Sequence, residues 1–227
     1  MWRRVGSCVS TIRAAVVANK SAGPSLPASV AETAPPSGPA AILGRHDLAV
    51  TDLDVFKVTS PPVGYPANMR TFYSPEDHIQ QVLQSVVSSV SKSIVVAMYG
   101  FDDDVLAAML DTALKNPAIY VQITLDGSQA AGVHEKDLLA KYTNDMTGNS
   151  VAIGNSERGA IMHRKMVIVD GLWRISGSTN WSTSGETLQD NELTIIRDAI
   201  VCSEARPILD IEHDWALKQM ATNRSKP

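Results

Sequence analysis

The segment Ile161-Met-His-Arg-Lys-Met-Val-Ile-Val-Asp170 places an imidazole and an ammonium two residues apart at the head of an apolar, β-branched run. Side chains alternate faces along a strand, so His163, Lys165, Val167 and Val169 share one side while Met166 and Ile168 take the other. Fifteen residues after Lys165 comes a carboxamide, Asn180. An imidazole can act as nucleophile or acid, an ammonium supplies a point charge, and an amide donates without changing protonation state. Converging on one place, these three groups suit an anionic, tetrahedral or bipyramidal centre such as phosphorus. Burying them without partners would cost on the order of several kcal/mol, so they bind a ligand or one another. No carboxylate cluster or Cys/His set accompanies them, and the spacing implies no metal.

What brings the groups together is a hairpin. Asp170-Gly171 is a two-residue turn signal between Lys165–Val169 and Leu172–Ser176, because both turn positions require positive φ. A two-residue loop would set Val169 opposite Leu172, Val167 opposite Arg174, Lys165 opposite Ser176 and His163 opposite Ser178, with Asn180 one period beyond. The central strand is apolar on both sides, as expected of one covered by helices on each face.

The neighbouring elements alternate in type. Ser74-Pro75-Glu76-Asp77 reads as a helix start, with Ile79, Val82, Leu83, Val86, Val87 and Val90 at helical spacing behind it. Ser93–Tyr99 reads as a strand, and Asp103–Lys115 as a helix closed by Asn116-Pro117. Ile119–Leu125 and Val151–Ile153 read as strands, with a helix over about 133–144 between them. Ser203 reads as the cap of a closing helix that carries Ile208, Leu209, Glu212, Trp215 and Leu217, with Pro207 in its first turn. The acids of Asp102-Asp103-Asp104 suit the positive end of a helix. Trp173 and Trp181 read as aromatic packing beside the hairpin, and His46, His78 and His213 as surface residues. This order predicts an α/β domain with a mixed central sheet flanked by helices.

His163-x-Lys165, four residues, Asp170, then Gly177-Ser178-x-Asn180 and Glu192 closely resemble the HxK(x)4D…GSxN…E signature of the phospholipase D superfamily. The likeness is greatest to its short, single-motif bacterial endonucleases. The resemblance implies a phospholipase D-like fold over residues 47–227 and a metal-independent phosphodiesterase without a cofactor. It implies that His163 is a nucleophile forming a phosphohistidine, that Lys165 and Asn180 bind the non-bridging oxygens with Ser178 assisting, and that Glu192 orients the His163 ring. Asp170, at the hairpin turn, is given a structural role together with Gly177.

Such chemistry needs two histidines, one neutral to attack and one protonated to donate. The only other H-x-K, His134-Glu135-Lys136, has Lys141 where the aspartate belongs and no GSxN after it. The second histidine is therefore expected from another copy of the chain, in a symmetric homodimer with the site on the two-fold axis. Arg158, Arg164 and Arg174 would then add to a local basic patch, Arg164 and Arg174 as substrate-binding residues.

Composition limits the substrate without choosing it. Of the 227 residues, 1–46 hold five Lys or Arg against one acid, with prolines among Ala, Ser and Gly; they read as a disordered basic tail with the balance of a targeting peptide. The remainder carries a net charge of −8, so polyanion binding rests on a local patch. Cys8 and Cys202 form no metal-type spacing, and no apolar run is long enough to span a membrane. Nucleic acid is the expected substrate. A phospholipid headgroup diester is the alternative, disfavoured by the lack of an evident apolar docking segment, and a non-catalytic nucleic-acid-binding module is a third reading.

Overall fold

The computed structural model describes residues 38–129 and 149–224. The helix expected over 133–144, the His134-x-Lys136 segment and residues 1–37 of the expected tail lie outside them. The described chain is a mixed α/β fold. Its strands are β1 (Met69–Ser74), β2 (Ser93–Met98), β3 (Phe101–Asp102), β4 (Tyr120–Asp126), β5 (Ser150–Gly154), β6 (Lys165–Val169), β7 (Trp173–Gly177), β8 (Trp181–Ser182) and β9 (Asn191–Arg197). Its helices are α1 (Ile79–Ser88), α2 (Asp104–Leu114), α3 (Thr183–Thr187) and α4 (Ala199–Arg224). A 3-10 turn, Val50–Phe56, precedes β1 and buries Val50, Leu53 and Phe56.

Seven strands form one sheet in the order β1-β9-β7-β6-β2-β4-β5, and β3 pairs with β8 in a small second sheet. The β2–β4 and β4–β5 pairs are parallel, and the others in the large sheet are antiparallel. The apolar strand β6 sits at the centre, which is why both of its faces are covered. On one face Val167 and Val169 join Ile94, Val96, Ile123 and Ile175 against α1 and α2. On the other, Ile168 packs with Val95, Ala97, Met162, Cys202, Ala205 and Leu209 beneath α4.

The β6–β7 register differs from the expected one by a single residue. Asp170 and Gly171 do take positive φ, 55° and 64°, and Leu172 N donates to Val169 O. Val169 nevertheless pairs with Trp173, Val167 with Ile175 and Ile168 with Arg174. Leu172 is an extra loop residue because its carbonyl is taken by Asp198 N at 2.9 Å, at the start of α4. A slip of one residue turns every β7 side chain over. Trp173 and Ile175 therefore enter the α1/α2 core, and Arg174 goes to the α4 side.

Two helix starts also move. Ser74 ends β1 instead of capping α1: its hydroxyl donates to Gln189 O at 2.7 Å and to Gly185 O at 3.1 Å. Asp77 accepts from Val58 N, Tyr73 N and Lys57 Nζ, and the helix begins at Ile79. At the C-terminal end, Asp198 Oδ1 accepts from Ile200 N and Val201 N, so α4 starts before Ser203 and Pro207 falls within the helix, on its exposed side. His213, expected at the surface, is buried between α4 and the sheet, bonded to Thr124 Oγ1 at 2.9 Å and Ser150 Oγ at 2.5 Å. The Asp103 carboxylate caps α2 through Leu106 N at 2.8 Å.

Chain ahead of residue 46 already belongs to this unit. Ile42 N donates to Ser85 Oγ, Gly44 N to Ser88 Oγ, and the His46 ring bonds Ser89 O, so the segment from Gly38 runs along α1. Among the described residues no helix is long and apolar enough to cross a membrane.

Candidate active site

Strand β6 begins at the edge of the α1/α2 core, and its first residue is Lys165. The side chain is 8% exposed, and burial holds its ammonium below the ordinary lysine value. Lys165 Nζ lies 3.0 Å from His163 Nε2. An ammonium has only hydrogens to offer, so this contact requires a lone pair on Nε2 and places the ring proton on Nδ1. His163 itself is exposed, in the connection between β5 and β6.

A third group closes on this pair from the end of β2. The Tyr99 ring meets the His163 ring edge to face, with centroids 4.5 Å apart and planes at 60°. Lys165 Nζ stands 4.8 Å from the Tyr99 centroid. Backbone fixes Tyr99, whose N–H donates to Arg164 O at 2.8 Å, and Gln129 Nε2 reaches its hydroxyl at 3.3 Å. Sequence reasoning assigned Tyr99 only to a strand end. The signal available was its place, one residue past a buried strand that pairs with the one carrying Lys165.

Asn180 arrives through the next residue along. Gly100 N donates to Asn180 Oδ1 at 3.2 Å, and Trp181 N donates to Gly100 O. With its oxygen engaged, the amide has its two N–H groups left for an anion. A Cβ on Gly100 would lie 2.9 Å from Asn180 Cγ, so only glycine admits the amide at that distance. Gly177 is needed for the same kind of reason, since a Cβ there would meet Glu192 O. Trp181 is buried, edge to face with Phe101, and Trp173 is buried as well; both are packing residues.

Ser178 and Glu192 part company. Ser178 Oγ donates to Asn191 Oδ1 at 2.9 Å and accepts from Glu192 N. Leu193 pairs with Gly177 and belongs to the α1/α2 core, so the alternation sets Asn191 on the site face and Glu192 on the opposite one. The Glu192 carboxylate there accepts from Thr194 Oγ1 at 3.2 Å. It does not take up the expected bond to the His163 ring, and the residue facing Ser178 is an amide that the sequence reading overlooked.

The two arginines expected in a phosphate patch are placed elsewhere. Arg164 Nε binds both Glu212 oxygens, at 2.6 and 2.7 Å, on the α4 side. Arg174, turned over by the register slip, pairs with Ile168 and Ile196, and its buried Nε has no hydrogen-bond partner. Arg158 and Arg164 both line, with His163, a groove of about 750 Å³ between α4 and the connection preceding β6. That groove also contains Ile161, Ile208, Ile211 and Trp215. The three isoleucines are 48%, 47% and 65% exposed, an apolar surface that the sequence did not reveal.

Asp170 supports the site from the far end of β6. Its carboxylate accepts from Ser91 N, Ser91 Oγ, Lys92 N and Ser93 N, at 2.7–3.1 Å. Burial raises its pKa, but the bonds from Ser93, Ser91 and Lys92 outweigh that and hold it below the ordinary aspartate value. The anion thus ties the α1–β2 turn to the tip of the hairpin.

Glu186, on α3 just after Asn180, is 1% exposed, and neither of its oxygens accepts from an ordinary donor. Its neighbour is the buried Asp103 carboxylate, which accepts from Gln80 Nε2 at 2.9 Å. Burial, then the charge of Asp103 and a hydrogen bond to it, push Glu186 up to about 10. Both effects favour the neutral acid over the anion.

Residues 83–215 match the family described as cardiolipin synthase, PLD-like domain. A phospholipase D of Rickettsia bellii (strain RML369-C) is 23% identical over 169 residues, 70% of this chain and 80% of that protein. The crystal structure of Nuc from Salmonella typhimurium, a phospholipase D family member, is similar with a TM-score of 0.55 and 21% identity, over 63% of this chain and 92% of that one. NucT from Helicobacter pylori gives 0.52 and 22%, over 65% and 96%. The matched span is more than half of the chain and carries His163, Lys165 and Asn180, and the chain belongs to the phospholipase D-like family of phosphodiester hydrolases.

Proposed function

We propose that this phosphodiesterase hydrolyses nucleic-acid diesters without a metal, through a phosphohistidine formed on His163 in a homodimer. The observation that carries the mechanism is the 3.0 Å contact between Lys165 Nζ and His163 Nε2. An ammonium that donates there points at the lone pair of the nucleophilic nitrogen, and a non-bridging phosphate oxygen can draw the ammonium off the ring as the diester binds. Nε2 then attacks phosphorus and the P–O bond to the leaving group breaks. A protonated His163 of a second copy gives that oxygen its proton. Water, losing a proton to the same second histidine, attacks the phosphohistidine and releases a phosphomonoester. Lys165 and the Asn180 amide neutralise the charge that grows on the equatorial oxygens.

Nucleic acid is supported by the resemblance to single-motif endonucleases and by the exposure of His163, which leaves the cradle open to an internal diester of a polymer. A second reading rests on the groove beside His163. Its isoleucines and Trp215 suit the apolar chains of a phospholipid, and its charges balance, Arg158, Arg164 and Lys218 against Glu157, Glu212 and Asp214.

Cleavage of single- and double-stranded DNA, RNA and phospholipid vesicles in excess EDTA, with His163→Ala in parallel, tests both. Cleavage of nucleic acid by the wild type alone is the expected result. Cleavage of the vesicles alone selects the lipid reading, and retained activity in His163→Ala overturns the mechanism. A monomer that remains active in solution overturns the shared site.

A further inference from the structure

We propose that Tyr99 is a positioning residue of the hydrolytic site, holding the His163 imidazole in one orientation and carrying the Lys165 ammonium on the face of its ring. The inference rests on the phosphodiesterase activity of the family and is independent of whether the diester belongs to nucleic acid or lipid.

A catalytic imidazole needs a partner that sets its ring plane and tautomer. The carboxylate nominated by the sequence, Glu192, points to the other side of the sheet and bonds Thr194, and Asn191, which faces inward, is engaged with Ser178 and the Gly185 carbonyl. Among the described residues, His163 has a side-chain hydrogen bond with Lys165 and a ring contact with Tyr99. An aromatic ring has a negative face and a positive edge, so an edge-to-face neighbour prefers a narrow range of ring angles, and a cation is drawn to the face. Tyr99 meets both conditions at once, 4.5 Å from the imidazole centroid and 4.8 Å from the ammonium.

Tyr99 is itself well fixed. It follows the buried end of β2, its N–H is bonded to Arg164 O, and the next residue, Gly100, donates to Asn180. The dipeptide Tyr99-Gly100 therefore joins the two halves of the phosphate cradle. Burial of Lys165 works against its charge, and the Tyr99 face partly replaces the water that the ammonium has given up.

The test compares Tyr99→Phe with Tyr99→Leu in the full chain. Turnover of bis(p-nitrophenyl) phosphate is followed across pH, and the imidazole nitrogens of His163 by NMR. Tyr99→Phe keeps the aromatic face and should match the wild type. Tyr99→Leu should lower kcat by roughly 10- to 100-fold with little change in KM. Its alkaline limb should move to lower pH as Lys165 loses its aromatic partner, and the single Nδ1–H tautomer should give way to a mixture.

A Tyr99→Leu protein that keeps kcat, the alkaline limb and the single tautomer overturns the proposal. So does a Tyr99→Phe protein that falls as far as Leu, because the hydroxyl would then be responsible. Should Tyr99→Leu fail to fold, Tyr99→Met, with an unbranched chain of similar length, takes its place. If the wild type leaves the diester intact, the phosphodiesterase assignment fails, while the tautomer readout still decides the role of Tyr99.

Discussion

The two faces of the β6–β7 hairpin are built from one short sequence and do unlike work. On the α1/α2 side the strands contribute Lys165, Val167, Val169, Trp173 and Ile175, and His163 approaches Lys165 from the preceding connection. On the α4 side they contribute Met166, Ile168 and Arg174, beneath a helix whose Glu212 holds Arg164. Basic residues occur on both sides, but among the described residues the first side links an imidazole and an ammonium to an amide through Tyr99 and Gly100. Residue type therefore does not identify a phosphate ligand here. On the proposed mechanism, the parity of its position on the strand does.

The strongest way to break this contrast is to remove the charge on the first side. Lys165→Met retains most of the side chain's length and its packing beside Met98, with which Lys165 is paired. It takes away the donor on His163 Nε2 and the countercharge for the phosphate. The expected loss in kcat is about 10²- to 10³-fold, with the melting temperature within a few degrees of the wild type. A variant that keeps its turnover would show that the ammonium is a core group and nothing more.

Asp170 tests how the faces are set, because its carboxylate fixes the hairpin tip against the turn before β2. Asp170→Asn loses an acceptor oxygen and sets an NH₂ against N–H donors. The expected destabilisation is about 1 kcal/mol, the low end of the usual range for such a loss because the site is half exposed. The aspartate is held below the ordinary value of 3.8. Its contribution is thus complete above the unfolded pKa and is lost as pH falls through the folded one. Denaturant midpoints of wild type and variant should differ at pH 7 and converge below pH 4.

Glu186 gives the opposite slope: it is a carboxyl buried beside a second one, whereas Asp170 is held by N–H donors. Between the ordinary value of 4.5 and about 10 the folded state keeps a proton that the unfolded state releases. Stability supplied at low pH is therefore lost as pH rises, by at most about 1.4 kcal/mol per pH unit. Glu186→Gln can still donate to Asp103 and carries no such proton. The variant should gain on the wild type as pH increases from 5 to 9, and parallel curves would mean that Glu186 is ionised in the fold.

Much of this architecture could be read from the chain beforehand, for physical reasons that differ by element. The helix over 104–114 and the strands at 93–98, 120–126 and 165–169 are set by apolar periodicity, which is local. His163, Lys165 and Asn180 stand out because polar groups beside a core need partners. The β7 register did not, since it depends on the carbonyl of Leu172 being taken by Asp198, a contact that no window around the turn contains. The placement of Asn191 and Glu192 depends on that same register carried across to β9. His213 looked like an isolated surface histidine because its partners, Thr124 and Ser150, are distant in sequence.

The smallest effect is expected where the sequence reading and the structure differ most. Arg174 was nominated for the phosphate patch, and the one-residue slip sets it across the sheet, beside Ile168 and near Cys202. If parity governs, Arg174→Met should leave kcat and KM within about twofold, because no charge is withdrawn from the cradle. Its buried Nε has no partner, so an apolar chain of similar length would lose no hydrogen bond there and should hold the melting temperature or raise it slightly. A rise in KM that steepens with falling salt would instead mean that the guanidinium reaches the phosphate, and that β7 adopts the two-residue register in solution.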